Sequence, residues 1–260
     1  MILEKIIRLV EEAGKILMEA TDIEACVEEK SGRANFVTEY DKKVQDFLFQ
    51  GLKEILPGAV FIGEEEESHA ALPKGYAFII DPIDGTTNFM KGYRMSCISV
   101  GLVKGGCPEI GVVYNPYQKE MFWAKKGEGA FCNGKAIRVS EHSLSDGLVL
   151  VGTSPYNEEL SGRSFEWAYE LFTRSLDIRR SGSAALDLCS LAAGRAEFYF
   201  ELILSPWDFA AGALILEEAG GTILSVEGKE LTFDQKQGIV AGNSKAIEAW
   251  KELMESGVLA

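Results

Sequence analysis

Apolar side chains recur at helical spacing from the first residues onward. Ile2, Ile6, Leu9, Val10, Ala13, Leu17 and Ala20 fall on one face with charges between them, which predicts an amphipathic helix over residues 2 to 20. The stretch Glu28-Glu29-Lys30-Ser31-Gly32 breaks the period and reads as a solvated loop. Thr38 and Asp41 have capping-box spacing, so a second helix is predicted to open there and run through Val44, Phe47, Leu48 and Leu52 to Leu56, where Pro57-Gly58 stops it. By spacing alone, Asp41 is a helix-start residue. Ala59-Val60-Phe61-Ile62 follows as a strand and leads through Gly63 into four glutamates. Glu66 and Glu67 read as solvated surface charge. Glu64, directly behind the strand, is placed beside the end of the next strand, where functional groups collect.

That next strand is Tyr76-Ala77-Phe78-Ile79-Ile80, followed at once by Asp81-Pro82-Ile83-Asp84-Gly85-Thr86-Thr87-Asn88-Phe89. Proline fixes its own φ and pushes Asp81 toward an extended conformation, and Gly85 can take a backbone conformation closed to other residues. The pattern predicts a strand end, a turn and a helix start that hold Asp81 and Asp84 in set directions. Two carboxylates held together repel unless a cation stands between them.

Ser96 to Val103, Glu109 to Tyr114 and Glu120 to Ala124 are strand-like runs separated by Gly-Gly or Asn-Pro. With Asn133-Gly134 as a hairpin turn, they predict an antiparallel meander whose aromatic residues belong to the core. From Leu148 strands and helices alternate: a strand at 148 to 151, helices near 156 to 174 and 183 to 193, a strand at 197 to 200, and a helix from Pro206 to Ala219. The chain thus reads as a single domain, residues 1–260, with sub-halves 1–143 and 147–260 joined at Ser140 to Gly147. Two stretches of the second half are candidates for chemistry. Arg180-Ser181-Gly182-Ser183-Ala184-Ala185 opens a helix on small residues and leaves backbone N–H groups within reach of an anion, although any Ser-capped helix start looks alike. In Glu201 to Gly212, Ser205 as N-cap, Pro206 at N1 and Asp208 at N3 form a capping arrangement that explains Asp208 structurally.

Composition narrows the chemistry. A formal charge of −14, from 40 acidic against 26 basic side chains, repels a nucleic-acid backbone, and no basic stripe reverses it locally. A phosphorylated small molecule would need bound divalent cations to enter. His69 and His142 are the only histidines, too few for a multi-histidine zinc site. Five cysteines without a C-x-x-C pair read as small, mostly buried thiols rather than a disulfide framework. No apolar run approaches a bilayer span, and the charged start lacks the pattern of a signal peptide, so a cytoplasmic protein without a membrane partner is expected. Chemistry has to rest on carboxylates.

With these pieces in place, the chain resembles the inositol monophosphatase family of magnesium-dependent, lithium-sensitive phosphatases. The resemblance is carried by Gly63-Glu64-Glu65, by Asp81 to Phe89 and by Pro206-Trp207-Asp208-Phe209-Ala210-Ala211-Gly212, and extends to Phe131-Cys132-Asn133-Gly134 and Gly182-Ser183-Ala184. It implies an α/β fold, the layered αβαβα sandwich shared with fructose-1,6-bisphosphatase. It also implies a homodimer that hydrolyses inositol monophosphate by direct attack of metal-activated water. One Mg²⁺ would be held by Glu64, Asp81 and the carbonyl of Ile83, a second by Asp81, Asp84 and Asp208, with a third, weaker site near Glu64. Thr86, backed by Asp41, would orient the water. Asp84, Gly85, Thr86, Gly182, Ser183, Ala184, Glu201 and Asp208 would meet the phosphate and hydroxyls of the substrate. Related proteins use the same metal core on fructose 1,6-bisphosphate or histidinol phosphate. A catalytically weak regulatory or binding protein of the same fold is the alternative from another class. Ile203-Leu204-Ser205 offers no cation just before Pro206, which favours a monophosphate.

Overall fold

The computed structural model describes residues 1–23, 27–29, 36–65 and 72–259. Cys26, Lys30, Glu66, Glu67 and His69, with the loop, surface and thiol readings attached to them, lie outside the described residues. Five layers follow from three apolar cores. Helices α1 (Ile2–Met18) and α2 (Glu39–Ile55) pack side by side on a seven-stranded sheet. Its strands, β3 (Val60–Gly63), β4 (Tyr76–Asp84), β5 (Cys97–Lys104), β6 (Cys107–Asn115), β7 (Glu120–Lys125), β8 (Ala130–Cys132) and β9 (Lys135–Ile137), stand in chain order. Only β3 and β4 run parallel. Because side chains alternate along a strand, Phe78, Ile80, Ile98 and Val100 face α1 and α2, where they meet Val10, Val44 and Leu48. Ala77, Ile79, Val113 and Phe122 face the other way, toward α5 (Ala184–Ala192) and α6 (Pro206–Glu218).

These two helices are sandwiched between sheets. Beyond them lies a five-stranded sheet in the order β11 (Asp177–Arg179), β10 (Leu148–Val151), β12 (Phe198–Leu204), β14 (Gln237–Gly242), β13 (Thr222–Ser225). Tyr199, Ile239 and Ala241 face α5 and α6, while Val149, Phe198, Phe200 and Val240 face α4 (Glu158–Phe172) and α7 (Ser244–Glu255) through Trp167, Leu171, Ile247 and Trp250. The layers therefore read α, β, α, β, α. Helix α6 is apolar on every side because both its faces meet a sheet. Gly101 and Gly111, paired across β5 and β6, let it come close: a Cβ at Gly111 would stand 2.5 Å from the Ala211 carbonyl oxygen.

The sequence reading needs four corrections here. Glu28 and Glu29 belong to β1 (Val27–Glu29), which pairs antiparallel with β2 (Phe36–Thr38), not to a loop. Strand β4 does not end before Asp81. It runs through Asp84, with its register against β5 shifting between Asp81 and Asp84, where Pro82 has no N–H to give to a ladder. Strand β12 extends to Leu204, so Glu201 is a strand residue. The thiols are not mostly buried: Cys97 and Cys189 are, but Cys107 is exposed and Cys132 half-buried, all four unbridged. Among the described residues no helix is long and apolar enough to cross a membrane.

Candidate active site

The predicted residues gather at one cavity of about 580 Å³, within the range of small-molecule sites. Glu64, Asp81, Ile83, Asp84, Gly85, Thr86, Gly182, Ser183, Ala184, Glu201 and Asp208 all line it. Parallel pairing of β3 with β4 brings Glu64 to Asp81, with the Glu64 N–H donating to the Ile80 carbonyl at 3.2 Å. Asp81 Oδ1 accepts from the Ile83 N–H at 3.0 Å, closing a tight turn around Pro82. Gly85 then takes a left-handed conformation, φ +86°, and α3 (Thr86–Met90) begins.

The second half of the chain closes the cavity from above. The Ser183 hydroxyl and the Ala185 N–H donate to Asp84 Oδ2 at 2.6 and 2.8 Å. The anion that this helix start holds is therefore a carboxylate of the protein itself. Asn88 strengthens the join, donating from Nδ2 to the carbonyls of Met95 (2.7 Å) and Ser181 (2.8 Å). The Ser205 N–H donates to Asp208 Oδ2 at 2.7 Å, as the capping pattern predicts. Glu201 is fixed through both oxygens, by the Ser154 N–H (3.1 Å) and the Tyr199 hydroxyl (2.9 Å).

Asp41 is more than a cap. Its Oδ2 accepts from the N–H and hydroxyl of Thr38 at 2.7 and 2.6 Å, while Oδ1 stands 3.3 Å from the Thr86 hydroxyl. That hydroxyl also reaches the Ile83 carbonyl at 3.1 Å, so its single proton serves one acceptor or the other.

Burial raises the pKa of Asp81 well above the ordinary carboxylate range, and Glu64, Asp84, Asp208 and Asp41 each push it further by repulsion. Asp208 is raised for the same reasons, burial first and then Asp84 and Glu64. Burial raises Asp84 to about 6, although the bonds from Ser183 and Ala185 oppose it, and raises Asp41 to about 7 against the bonds from Thr38. Among the described residues, no three His, Cys, Asp or Glu side chains form a ready-made ion site. Glu64, Asp81, Asp84 and Asp208 line the cavity instead, each of these aspartates with one oxygen committed to protein donors. An all-oxygen set under mutual repulsion, beside a main-chain carbonyl, suits a hard divalent ion such as Mg²⁺ that keeps part of its water shell.

Asp187, Tyr156 and Lys236 also line the cavity without a sequence expectation behind them, as does Arg180, which opens the candidate stretch Arg180 to Ala185. Asp187 had a visible signal: a lone acid inside the apolar helix Ala-Ala-Leu-Asp-Leu-Cys-Ser-Leu-Ala, buried in the structure and with its pKa raised by that burial. The other three come from loops without periodic pattern.

The inositol monophosphatase family matches residues 2–257. This chain belongs to that family. Inositol monophosphatase 2 of Solanum lycopersicum is 40% identical over 255 residues, covering 94% of each chain. A protein of Salmonella typhimurium named Nus factor SuhB is 35% identical over 245 residues, covering 94% of this chain and 91% of its own. The solved inositol monophosphatase of Anabaena (Nostoc) sp. PCC 7120 superposes with a TM-score of 0.86 at 30% identity, over 98% of this chain and 95% of that one. The layered α/β architecture expected from the motifs is the fold of this inositol monophosphatase family member and its relatives.

Proposed function

We propose that this inositol monophosphatase family member is a Mg²⁺-dependent phosphomonoesterase that releases phosphate from a phosphorylated polyol, with inositol 1-phosphate as the first substrate to assay. The observation that carries this reading is the group of mutually repelling carboxylates, Asp81 and Asp84 buried and Glu64 and Asp208 half-buried, facing one cavity beside the Thr86–Asp41 pair. Glu64, Asp81 and the Ile83 carbonyl would hold one Mg²⁺, and Asp81, Asp84 and Asp208 a second, with Asp81 shared. Bound there, the ions would supply positive charge to the phosphoryl oxygens and a water made acidic enough to react near neutral pH.

The chain's own residues do the rest. The Thr86 hydroxyl orients the attacking water, and Asp41, which titrates near neutrality, takes up its proton through Thr86. Main-chain N–H groups at Gly85 and Thr86, at the start of α3, hold phosphate oxygens. Glu201, held from two sides, and the Gly182 to Ala184 segment face the polyol. Lithium sensitivity, a cytoplasmic location and a homodimer belong to the same proposal, and sedimentation velocity checks the last.

Asp81→Asn is expected to abolish Mg²⁺-dependent phosphate release from inositol 1-phosphate while leaving the fold intact by circular dichroism. A variant that works at the wild-type rate refutes the assignment. One observation favours a second reading: the Salmonella relative carries the name of a Nus factor. A wild-type protein that releases no phosphate with Mg²⁺ from inositol 1-phosphate, fructose 1,6-bisphosphate or histidinol phosphate supports that regulatory alternative.

A further inference from the structure

The floor of the cavity is acidic, and part of its upper wall is a short turn between β10 and α4 that carries Tyr156, the one tyrosine among the lining residues. The turn closes with the Asn157 N–H donating to the Ser154 carbonyl at 3.0 Å, and Pro155 fixes a φ angle within it. Ser154 takes a left-handed conformation, φ +43°, which a residue with a side chain keeps only where its surroundings impose it. Here they do. The Ser154 N–H donates to Glu201 at 3.1 Å, and the Ser161 hydroxyl reaches the carbonyls of Ser154 and Thr153 at 2.8 and 3.0 Å. Asn157 then caps α4, its Oδ1 accepting from the Leu160 N–H at 3.0 Å. Tyr156 therefore stands on a turn that is pinned at both ends.

Solvent reaches more than half of the residue, 59%, yet the phenol leans over the floor. Burial of the hydroxyl raises its pKa, and repulsion by Asp208, Glu64, Glu201 and Asp84, in that order, raises it further. Asp208 and Glu64 thus act on it more strongly than Glu201 does, which sets the hydroxyl toward the carboxylate centre ahead of the polyol side. It stays protonated and is a donor. Among the described residues this hydroxyl has no hydrogen-bond partner, whereas those of Tyr40 and Tyr199 donate to the Thr21 carbonyl at 3.0 Å and to Glu201 at 2.9 Å. A donor held in place above the floor, with no acceptor in the protein, is set for an acceptor that enters the cavity.

We propose that the Tyr156 hydroxyl donates a hydrogen bond to a phosphoryl oxygen of the substrate, from the wall opposite the N–H groups of Gly85 and Thr86. The proposal rests on the phosphomonoesterase reading. A phosphoryl group in transfer spreads its charge over three peripheral oxygens. Gly85 and Thr86 meet it from the floor, and Tyr156 meets it from above on a turn that needs no rearrangement to do so. The phenol keeps its proton throughout, and no covalent bond forms or breaks at Tyr156. Because the same oxygens accept in the ester and in free phosphate, the contact holds substrate and product alike, and its loss falls on KM and phosphate affinity more than on kcat. It is indifferent to which alcohol leaves.

Tyr156→Phe removes the hydroxyl and keeps the ring, and inositol 1-phosphate and p-nitrophenyl phosphate share only the phosphoryl group, so steady-state kinetics with Mg²⁺ on both esters isolates the contact. The variant is expected to lose about tenfold in kcat/KM on each ester, mostly through KM, and to bind inorganic phosphate about tenfold more weakly by calorimetry in Mg²⁺, the scale of a lost hydrogen bond to a charged group. Wild-type constants in Tyr156→Phe overturn the proposal, including the case where only Tyr156→Ala is impaired and the ring alone matters. A loss confined to inositol 1-phosphate overturns it as well, because the hydroxyl then reads the alcohol. If the wild type releases phosphate from neither ester, the phosphatase reading has failed, and the phosphate titration decides the contact separately. Weaker phosphate binding in Tyr156→Phe then sustains it, and equal or absent binding in both proteins sinks it.

Discussion

Thr86 and Asp41 show how a single side chain changes meaning with its neighbours. Along the sequence Asp41 is explained by Thr38, three residues away; in space it also backs the hydroxyl of Thr86, 45 residues on. A Thr86→Ala variant should therefore keep its metal affinity by calorimetry and lose kcat by roughly 10²-fold, the size of a general-base contribution. An equal loss in metal affinity would instead make Thr86 a structural support for Ile83. Glu64 was legible because a strand, a glycine and a carboxylate in succession place it at a strand end. Lys236 was not, since nothing periodic in a loop says which cavity it borders. Asp187 lay between the two: its apolar surroundings were written in the chain, but the cavity they border was not.

Elements were legible where the pattern was long. Helices α1 and α2, the β5 to β7 meander and α6 stand within a few residues of expectation, and the Asn133-Gly134 turn has both residues at positive φ, as a two-residue hairpin demands. The three-residue strand β11 is too short for any period to register, and β4 outran its pattern because an Asp-Pro pair that normally ends a strand here sits in an irregularity of the ladder. Gly85 fixes how that strand becomes α3. Its φ of +86° is unfavourable for any side chain, and an added Cβ would stand 2.9 Å from the Met95 carbonyl and 3.1 Å from that of Gly182. Gly85→Ala should thus cost about 1–3 kcal/mol in stability by denaturant titration. Phosphate release should fall more steeply than the folded fraction, because the same turn aims Asp84 and Thr86.

For the molecule as a whole, the buried carboxylates make stability depend on pH in a specific direction. Asp41 and Asp84 titrate near 7 and 6 when folded and near 3.8 when unfolded, so the folded protein keeps protons that the unfolded chain has already released. Metal-free protein should therefore unfold in a single thermal transition whose midpoint falls as pH rises from about 4 to about 7. Mg²⁺ should recover the loss at neutral pH, where the carboxylates are charged, and do little near pH 4. A midpoint that rises over the same window without metal would contradict the burial described here. The contact of Ser183 and Ala185 with Asp84 also bears on how such a protein could be rebuilt. The strand that carries Asp84 and the helix start that steadies it belong to different halves of the chain. A chimera that borrows residues 148–259 from a relative to change the accepted alcohol would inherit a new wall above an old floor. Among the joins it must keep is this one: the donor sequence has to bring a hydroxyl at position 183 and a free N–H at 185, or the recipient's aspartate loses both of these donors.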